Sequence, residues 1–333
     1  MKAIFLNEKE GSIARIYAPE TLNKICELVD ADPVQYSKAD VMKNPEKFRD
    51  TRFIFSTWGM PVFTEEEIGK VFPKLEAVFY GAGTVQAFAR PFLHRGVKIF
   101  SAWIANAVPV AEYTVAQIIL ANKGYFLRSD LMSKGVVTRA REMAQNYPGN
   151  YDAVIGIIGT GAIGRFVCEM LKPYRLRVLA YSRSLTEEKA KALGVEKSDI
   201  ETIFRTCHVV SNHLANNAQT QKILTKEHFA SMRPYATFLN TGRGAQVDEE
   251  GMIEVLRERT DLTAVLDVTN PEPPVSGSPL YELPNCILTP HIAGSAGNEV
   301  HRMAQWMADE FELYLRGETC RYEVTEEMLR TMA

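Results

Sequence analysis

The stretch "VIGIIGTGAIGRF", Val154 to Phe166, constrains this chain more than any other. An apolar run of strand length collapses into glycines and then opens a helix. Gly159 permits the tight turn, Gly161 lets backbone approach a pyrophosphate with no side chain in the way, and Gly164 lets the new helix lie close on the strand. Ala162 and Ile163 stand at the head of that helix, whose unpaired N–H groups face phosphate oxygens. A glycine turn alone also arises for structural reasons. The strand before it and the helix after it make a dinucleotide site the stronger reading.

The turn sits in the middle of 333 residues, a length that suits two domains. Strand-like runs recur on both sides of it: "KAIFL", "RFIFST", "LEAVFYG" and "VKIFSA" before, "RVLAYS", "HVVSNH", "ATFLNTG", "TAVLDV" and "CILTP" after. Strands alternating with helical stretches predict parallel sheets with helices on both faces. There are two such series, so the expected fold class is α/β, with two doubly wound, Rossmann-like domains. Between them lies "ANAVPVAEYTVAQIILANKGYFL", whose apolar length suits a helix packed on two sides. The last helical segment, "NEVHRMAQWMADEFELYLRG", stops at Gly317. Chain termini often lie close together, so this helix is expected to return to the first domain. The expected division is residues 1–104 with 295–333 as one domain, and an inserted nucleotide domain over 105–294. Little chain follows the return helix, so an added regulatory domain is not expected.

A net charge of −3 gives no electrostatic reason to expect nucleic acid or an anionic membrane as partner. No apolar run is read as reaching the roughly 18 residues that span a bilayer. The opening "MKAIFLNEKEG" meets charged residues too early for a signal peptide, so a cytoplasmic location is expected. Cys26, Cys168, Cys207, Cys286 and Cys320 are odd in number, scattered and free of any CxxC pair. They read as reduced structural thiols, and no metal site is expected.

The strand "LRVLAYSRS" bears on which nucleotide is bound. A carboxylate at its end would grip the ribose hydroxyls of NAD and repel the extra phosphate of NADP. Ser182, Arg183 and Ser184 stand there instead. A guanidinium between two hydroxyls suits a 2′-phosphate, which points to NADP, with NAD as the alternative. Read blandly, Arg183 is a solvated loop residue.

Three polar residues follow strand-like runs in the second series. Arg243 lies between glycines in "TFLNTGRGAQVDE", Glu272 between prolines in "AVLDVTNPEPP", and His291 in "CILTPHIAGSAG". Strand carboxyl ends in an open α/β sheet are where ligands bind. Each residue alone is as readily structural: a surface arginine, a satisfied core histidine. Together they are the parts that oxidation of a secondary alcohol requires. Histidine takes the hydroxyl proton as hydride leaves, a carboxylate on its far nitrogen fixes the tautomer, and arginine holds the substrate acid and polarises its carbonyl.

With "NAVPVAEYTVAQIIL", "GIIGTGAIGR", "LNTGRGAQVDE", "LDVTNPEP" and "TPHIAG" in this order, the sequence resembles the D-isomer-specific 2-hydroxyacid dehydrogenases. The resemblance is strongest from about Ala105 to Gly294. It implies a discontinuous substrate domain, NAD(P) as cofactor and a small 2-oxo or 2-hydroxy acid as substrate. It makes Arg243 a substrate contact, Glu272 the acidic partner and His291 the acid/base. Asp267 bonds the nicotinamide carboxamide, Thr241 and Gly242 line the ring site, Leu214 touches the cofactor, and Ala162 and Ile163 lie over the pyrophosphate. Gly81, Ala82 and Gly83 fall where family members bind the substrate carboxylate through backbone N–H groups. Two departures stand out: Thr84, Val85 and Gln86 follow that loop where an aspartate is common, and Ala215 and Asn216 follow His213 where a proline is usual. Trp58 and Trp103 are placed to face substrate, or else to pack in the core. The resemblance and the long apolar helix around Tyr113 to Asn122 favour a homodimer.

Two rival readings stay open on sequence. One is a catalytically weak, NAD(P)-responsive interaction protein of the corepressor kind, since fold alone does not fix function. The other is a dehydrogenase acting on another substrate, or a nucleotide-binding methyltransferase that shares only the glycine turn.

Overall fold

The structure, a computed structural model, describes residues 2–330; Met1 and residues 331–333, which the sequence reading assigns to the first domain, lie outside the described residues. The chain divides into two compact units, one built from the described residues up to Asn106 and from Ser295 onward, the other from Ala107–Gly294.

The first unit is a sheet of β1 (Lys2–Leu6), β2 (Asp30–Tyr36), β3 (Thr51–Ser56), β4 (Ala77–Tyr80) and β5 (Lys98–Ser101), with a short strand Glu323–Val324 beside β5. The order β5-β4-β3-β1-β2 is parallel throughout, and only Glu323–Val324 runs antiparallel. Helices cover both faces, so the central strands β1, β3 and β4 read as nearly unbroken apolar runs. On one face Phe79 stacks on Phe55 at 5.3 Å and on Phe100 at 4.8 Å. Phe311, from the helix Glu299–Leu315, meets both Phe55 and Phe79 edge-on at 5.1 Å. That helix buries Met303, Ala304, Met307 and Ala308 in the same cluster and ends where Gly317 takes φ +70°. One turn before its end, the buried carboxylate of Glu310 accepts the N–H groups of Arg321 at 2.8 Å and Tyr322 at 3.2 Å. The chain is thereby turned onto the free edge of β5.

β2 is absent from the sequence reading, and its composition explains why. "DADPVQY" is an edge strand, largely half-buried or exposed, that slips register between Ile4 and Phe5 of its partner. A proline is tolerated there because one side of an edge strand needs no ladder donor.

The second unit is a sheet of β6 (Val154–Ile158), β7 (Arg177–Tyr181), β8 (Glu196–Lys197), β9 (Val209–Asn212), β10 (Thr237–Asn240), β11 (Thr263–Leu266) and β12 (Cys286–Leu288). Every pairing is parallel, in the order β12-β11-β10-β9-β6-β7-β8. The order reverses between β6 and β9, which puts the glycine turn after β6 at the point where open α/β sheets bind ligands.

The helix Trp103–Ala121 corrects one expectation: at 19 residues it is long and apolar enough, by length and composition, to cross a bilayer. Its Ala111, Ile118 and Ala121 are buried in one cluster with Ile155, Ile157 and Val167, as in a core helix. The five cysteines are unpaired, and burial pushes the thiols of Cys168, Cys207 and Cys286 up to about 12.

Replacing Glu310 strands two backbone donors. Glu310→Ala is expected to lower unfolding stability by about 2 kcal/mol, the scale of hydrogen bonds to a charged group. Amide exchange at Arg321 and Tyr322 should accelerate with it. An unchanged denaturation midpoint and unchanged exchange would show that the carboxylate does not hold this turn.

Candidate active site

The three glycines of the turn after β6 are glycine for different reasons. Gly159 has φ +99°, and a Cβ there would lie 2.5 Å from the carbonyl oxygen of His213. A Cβ on Gly164 would lie 1.9 Å from the carbonyl oxygen of Gly159. Both are demanded by the fold itself. At Gly161 φ is −70° and a Cβ would meet no protein atom within 4 Å. Nothing in the protein requires the missing side chain, whereas a pyrophosphate lying against the backbone does. Gly161 is the N-cap of the helix Ala162–Leu171 and makes no side-chain cap bond, so Ala162 and Ile163 present unpaired N–H groups at the same spot. The residues therefore fit a dinucleotide.

At the end of β7, Ser182 Oγ lies 3.4 Å from Ser184 Oγ, and the Arg183 guanidinium donates to Gln219 Oε1. Lys189 Nζ donates to the Ser184 carbonyl at 3.3 Å. Among the described residues neither cation is paired with a carboxylate. Lys189 is missing from the sequence reading because it lies in the next helix, Glu187–Leu193, and only the turn at Thr186 brings it back over Ser184.

Between β9 and β10 lies a buried amide network that also went unread. Asn212 Nδ2 donates to Asn240 Oδ1 at 3.0 Å and to Gln246 Oε1 at 2.6 Å. Asn240 Oδ1 also accepts the Gly242 N–H at 3.1 Å, and Gln246 Oε1 the Arg243 N–H at 3.2 Å. The network fixes Gly242 and leaves no room for a side chain, since a Cβ there would stand 2.9 Å from Gln246 Oε1. It also changes what is expected of Leu214. Its N–H donates to Asn212 Oδ1 and its carbonyl accepts from Gln246 Nε2, so its N–H is not free for a cofactor. Thr241 Oγ1 sits 3.3 Å from Thr114 Oγ1 and 3.4 Å from His213 Nδ1. Burial pulls His213 down to about 3, so its ring is neutral, with Nε2 2.9 Å from Ser211 Oγ.

His291 has φ +54°, uncommon for a residue with a side chain. Asp267 holds it there. Its Oδ1 accepts Thr289 Oγ1 at 2.6 Å and the Ile292 N–H at 2.8 Å, and its Oδ2 accepts the Ala293 N–H at 2.9 Å. Tyr113 Oη stands 3.2 Å from Thr289 Oγ1 and supports the same turn. Asp267, expected to bond the nicotinamide carboxamide, is thus occupied mainly with the loop that carries His291; one of its roughly four lone pairs is left over.

Glu272 Oε1 lies 2.5 Å from His291 Nδ1. This makes Nδ1 the donor to the carboxylate and leaves Nε2 for another partner. Arg243 follows β10. Its guanidinium donates to the Gly242 carbonyl at 2.8 Å and has no carboxylate partner among the described residues. Gly244 then abuts Thr269, where a Cβ would fall 2.0 Å from the carbonyl carbon. That contact brings the arginine turn against the loop that leads to Glu272. Arg243, Asp267 with Glu272, and His291 follow β10, β11 and β12 respectively, all at strand carboxyl ends.

In the first unit, the turn after β4 departs from expectation. The N–H of Gly81 donates to the Ser56 carbonyl and that of Ala82 to the Tyr80 carbonyl, each at 2.8 Å. Neither is available to a substrate carboxylate: Gly81 is bonded across to β3, and Ala82 closes on its own turn. The Gly83 N–H has no partner among the described residues. Of Trp58 and Trp103, the latter packs against the core of this unit and the former is 40% exposed.

A doubly wound sheet with a side-chain-free cradle at its switch point, and a histidine–carboxylate pair at later strand ends, defines a dinucleotide-binding domain equipped for acid–base chemistry. Residues 115–293 match the D-isomer specific 2-hydroxyacid dehydrogenase, NAD binding domain, and the chain belongs to this family. It is 28% identical over 275 residues to D-3-phosphoglycerate dehydrogenase of Methanocaldococcus jannaschii, covering 82% of this chain and 51% of that one. It is 32% identical over 176 residues to glyoxylate reductase of Aeropyrum pernix, covering 53% and 52%. The apo form of Rhodotorula graminis D-mandelate dehydrogenase shares the fold, with a TM-score of 0.80 at 19% identity over 98% of this chain and 97% of that one. The chain spans about half the length of the curated relatives it matches.

The glycines separate fold from ligand experimentally. Gly161→Ala is expected to cost the cofactor-free protein no more than about 1 kcal/mol of unfolding free energy, the scale of a helix N-cap change, while weakening dinucleotide binding. Gly164→Ala, an overpacking change, should lose roughly 1–3 kcal/mol or more. Undiminished dinucleotide affinity in Gly161→Ala, read by fluorescence titration, would remove the cradle from the site.

Proposed function

We propose that this protein transfers hydride between a nicotinamide dinucleotide and a small 2-oxo or 2-hydroxy acid. The observation that carries the reading is the 2.5 Å contact of Glu272 with His291 Nδ1, on the same edge of one sheet as an arginine without a carboxylate partner. Gly161, Ala162 and Ile163 hold the pyrophosphate, and Thr241 and Gly242 line the ring site. When bound, the nicotinamide supplies the carbon that carries hydride. The remaining work belongs to this chain's side chains.

In the reducing direction, His291 Nε2 delivers a proton to the substrate carbonyl oxygen; in the oxidising direction it accepts the hydroxyl proton. Glu272 keeps the ring in one tautomer and one orientation throughout. Arg243 offers its planar fork to the substrate carboxylate and polarises the adjacent carbonyl. Asp267 is a positioning residue that acts through the turn at Thr289–Ala293. In the first unit the Gly83 N–H is the donor we assign to a substrate carboxylate, with Gly81 and Ala82 shaping its turn.

NADP is the cofactor we infer, with NAD the alternative. Arg183, Lys189 and the hydroxyls of Ser182 and Ser184 surround the place of a 2′-phosphate, and no carboxylate follows β7 directly to repel it. A homodimer is also inferred, because Leu120, Tyr125, Met132 and Val136 leave apolar side chains exposed on successive segments of the second unit. Five unpaired cysteines accord with a reducing, cytoplasmic setting.

The deciding measurement is oxidation of NADPH and NADH against glyoxylate, hydroxypyruvate, pyruvate and larger 2-oxo acids. His291→Asn is expected to lower kcat by about 100-fold or more with cofactor affinity retained. Absence of turnover with every acid despite cofactor binding, or full activity in that variant, would sink the proposal. Arg183→Ala should reduce the preference for NADPH over NADH by about tenfold, the loss of one charge-assisted contact. An unchanged ratio makes Arg183 a solvated loop residue.

A further inference from the structure

The first unit has its own switch point. Its strand order reverses between β1 and β3, and in open α/β sheets the loops leaving two such strands diverge to form a crevice at their carboxyl ends. A pocket of about 60 Å³ lies there, lined by Lys9, Ser12, Arg15, Ile16, Thr57 and Trp58.

Charge distinguishes this pocket from the one at the opposite end of the sheet. There the cations are all engaged: Lys2 with the Lys47 carbonyl, Arg52 with Glu76, and Lys74 with Asp50. At the switch point Lys9 and Arg15 have no carboxylate partner among the described residues, and the Ser12 hydroxyl makes no hydrogen bond. Of the two acids that flank Lys9, Glu8 accepts the Lys38 N–H at 3.0 Å, and Glu10 is exposed and is not part of the pocket lining.

The frame is built. Asn7 ties the two loops together, donating from Nδ2 to the carbonyls of Thr57 at 3.2 Å and Trp58 at 3.0 Å and accepting the Lys9 N–H at 2.9 Å. Gly59, with φ +100°, passes so close to Asn7 that a Cβ would lie 2.6 Å from its Oδ1. Gln35 holds Lys9 and the following turn from the other side, donating to the Lys9 carbonyl at 2.8 Å and accepting the Ile13 N–H at 3.2 Å.

Size sets the ligand group. At roughly 10–15 Å³ per water-sized atom, the pocket takes on the order of four such atoms, enough for a carboxylate or phosphate and too few for a ring. Two unopposed cations and a free hydroxyl are what an oxyanion needs. We propose that this pocket binds the carboxylate or phosphate group of a small acid, held by Lys9, Arg15 and the Ser12 hydroxyl and flanked by the indole of Trp58. The lining shares no residue with the contacts assigned to Arg243 and Gly83, and the binding of an anion here does not rest on the hydride-transfer reading.

The test uses the full chain, with inorganic phosphate, 2-oxoglutarate and the monoacid pyruvate as probes, read by calorimetry and tryptophan fluorescence. A Lys9→Gln/Arg15→Gln double variant alters two exposed residues, and its unfolding midpoint verifies that it is folded. Phosphate or 2-oxoglutarate is expected to bind the parent, to bind the double variant at least tenfold more weakly, and to lose its fluorescence signal in Trp58→Phe. A KM for 2-oxoglutarate raised about tenfold, with kcat and the KM for pyruvate unchanged, identifies the ligand as the distal acid group of a substrate. Weakened phosphate binding with every KM unchanged identifies a free anion instead. The proposal is overturned if neither anion binds the parent below about 20 mM, or if the double variant binds both as the parent does. Calorimetry separates these outcomes even if no 2-oxo acid is turned over.

Discussion

The site depends on one buried carboxylate. Asp267 engages a hydroxyl and two backbone N–H groups from the turn Thr289–Ala293, and that turn holds His291 at a positive φ. Such a conformation costs on the order of 1–3 kcal/mol and persists only where the surroundings over-determine it. Three hydrogen bonds to one carboxylate are sufficient. The same turn sets where the imidazole meets Glu272, so the histidine–glutamate contact is held by a residue that bonds to neither side chain.

A comparable division of labour runs through the glycines and amides of the second unit. Gly159, Gly164 and Gly244 are required by close approach of backbone, and any ligand benefits only indirectly. Gly161, at an ordinary φ of −70°, leaves room that no protein atom claims. Asn212, Asn240 and Gln246 lock the turns after β9 and β10, so Thr241, Gly242 and the backbone of Arg243 are set before any ligand arrives. Preorganisation of this kind lets polar groups act on a reacting carbonyl without reorganising first.

Legibility in the sequence followed the range of the forces involved. Apolar runs such as "AVIGIIG" and "TAVLDV" announced strands because burial on both faces demands continuous hydrophobicity. β2 stayed hidden because an edge strand is freed from that demand. Arg243, Glu272 and His291 were legible as residue types at strand ends. Lys189 was not, because a lysine in a helix reads as a solvated residue until a turn folds it over Ser184. The occupied N–H of Gly81 was hidden for a related reason: whether an amide is free depends on which carbonyl lies opposite, and Ser56 belongs to a neighbouring strand.

By itself, the order of residues determined two series of parallel strands with helices between them and a glycine turn shaped for a pyrophosphate, because sterics and hydrophobic periodicity act over a few residues. Tertiary structure alone decided which donors are left unpaired, where the lone pairs of Asp267 point, and that Lys9 and Arg15 share a pocket with Trp58. Hydrogen bonds and desolvation are settled between groups distant in sequence, and no local pattern records their partners.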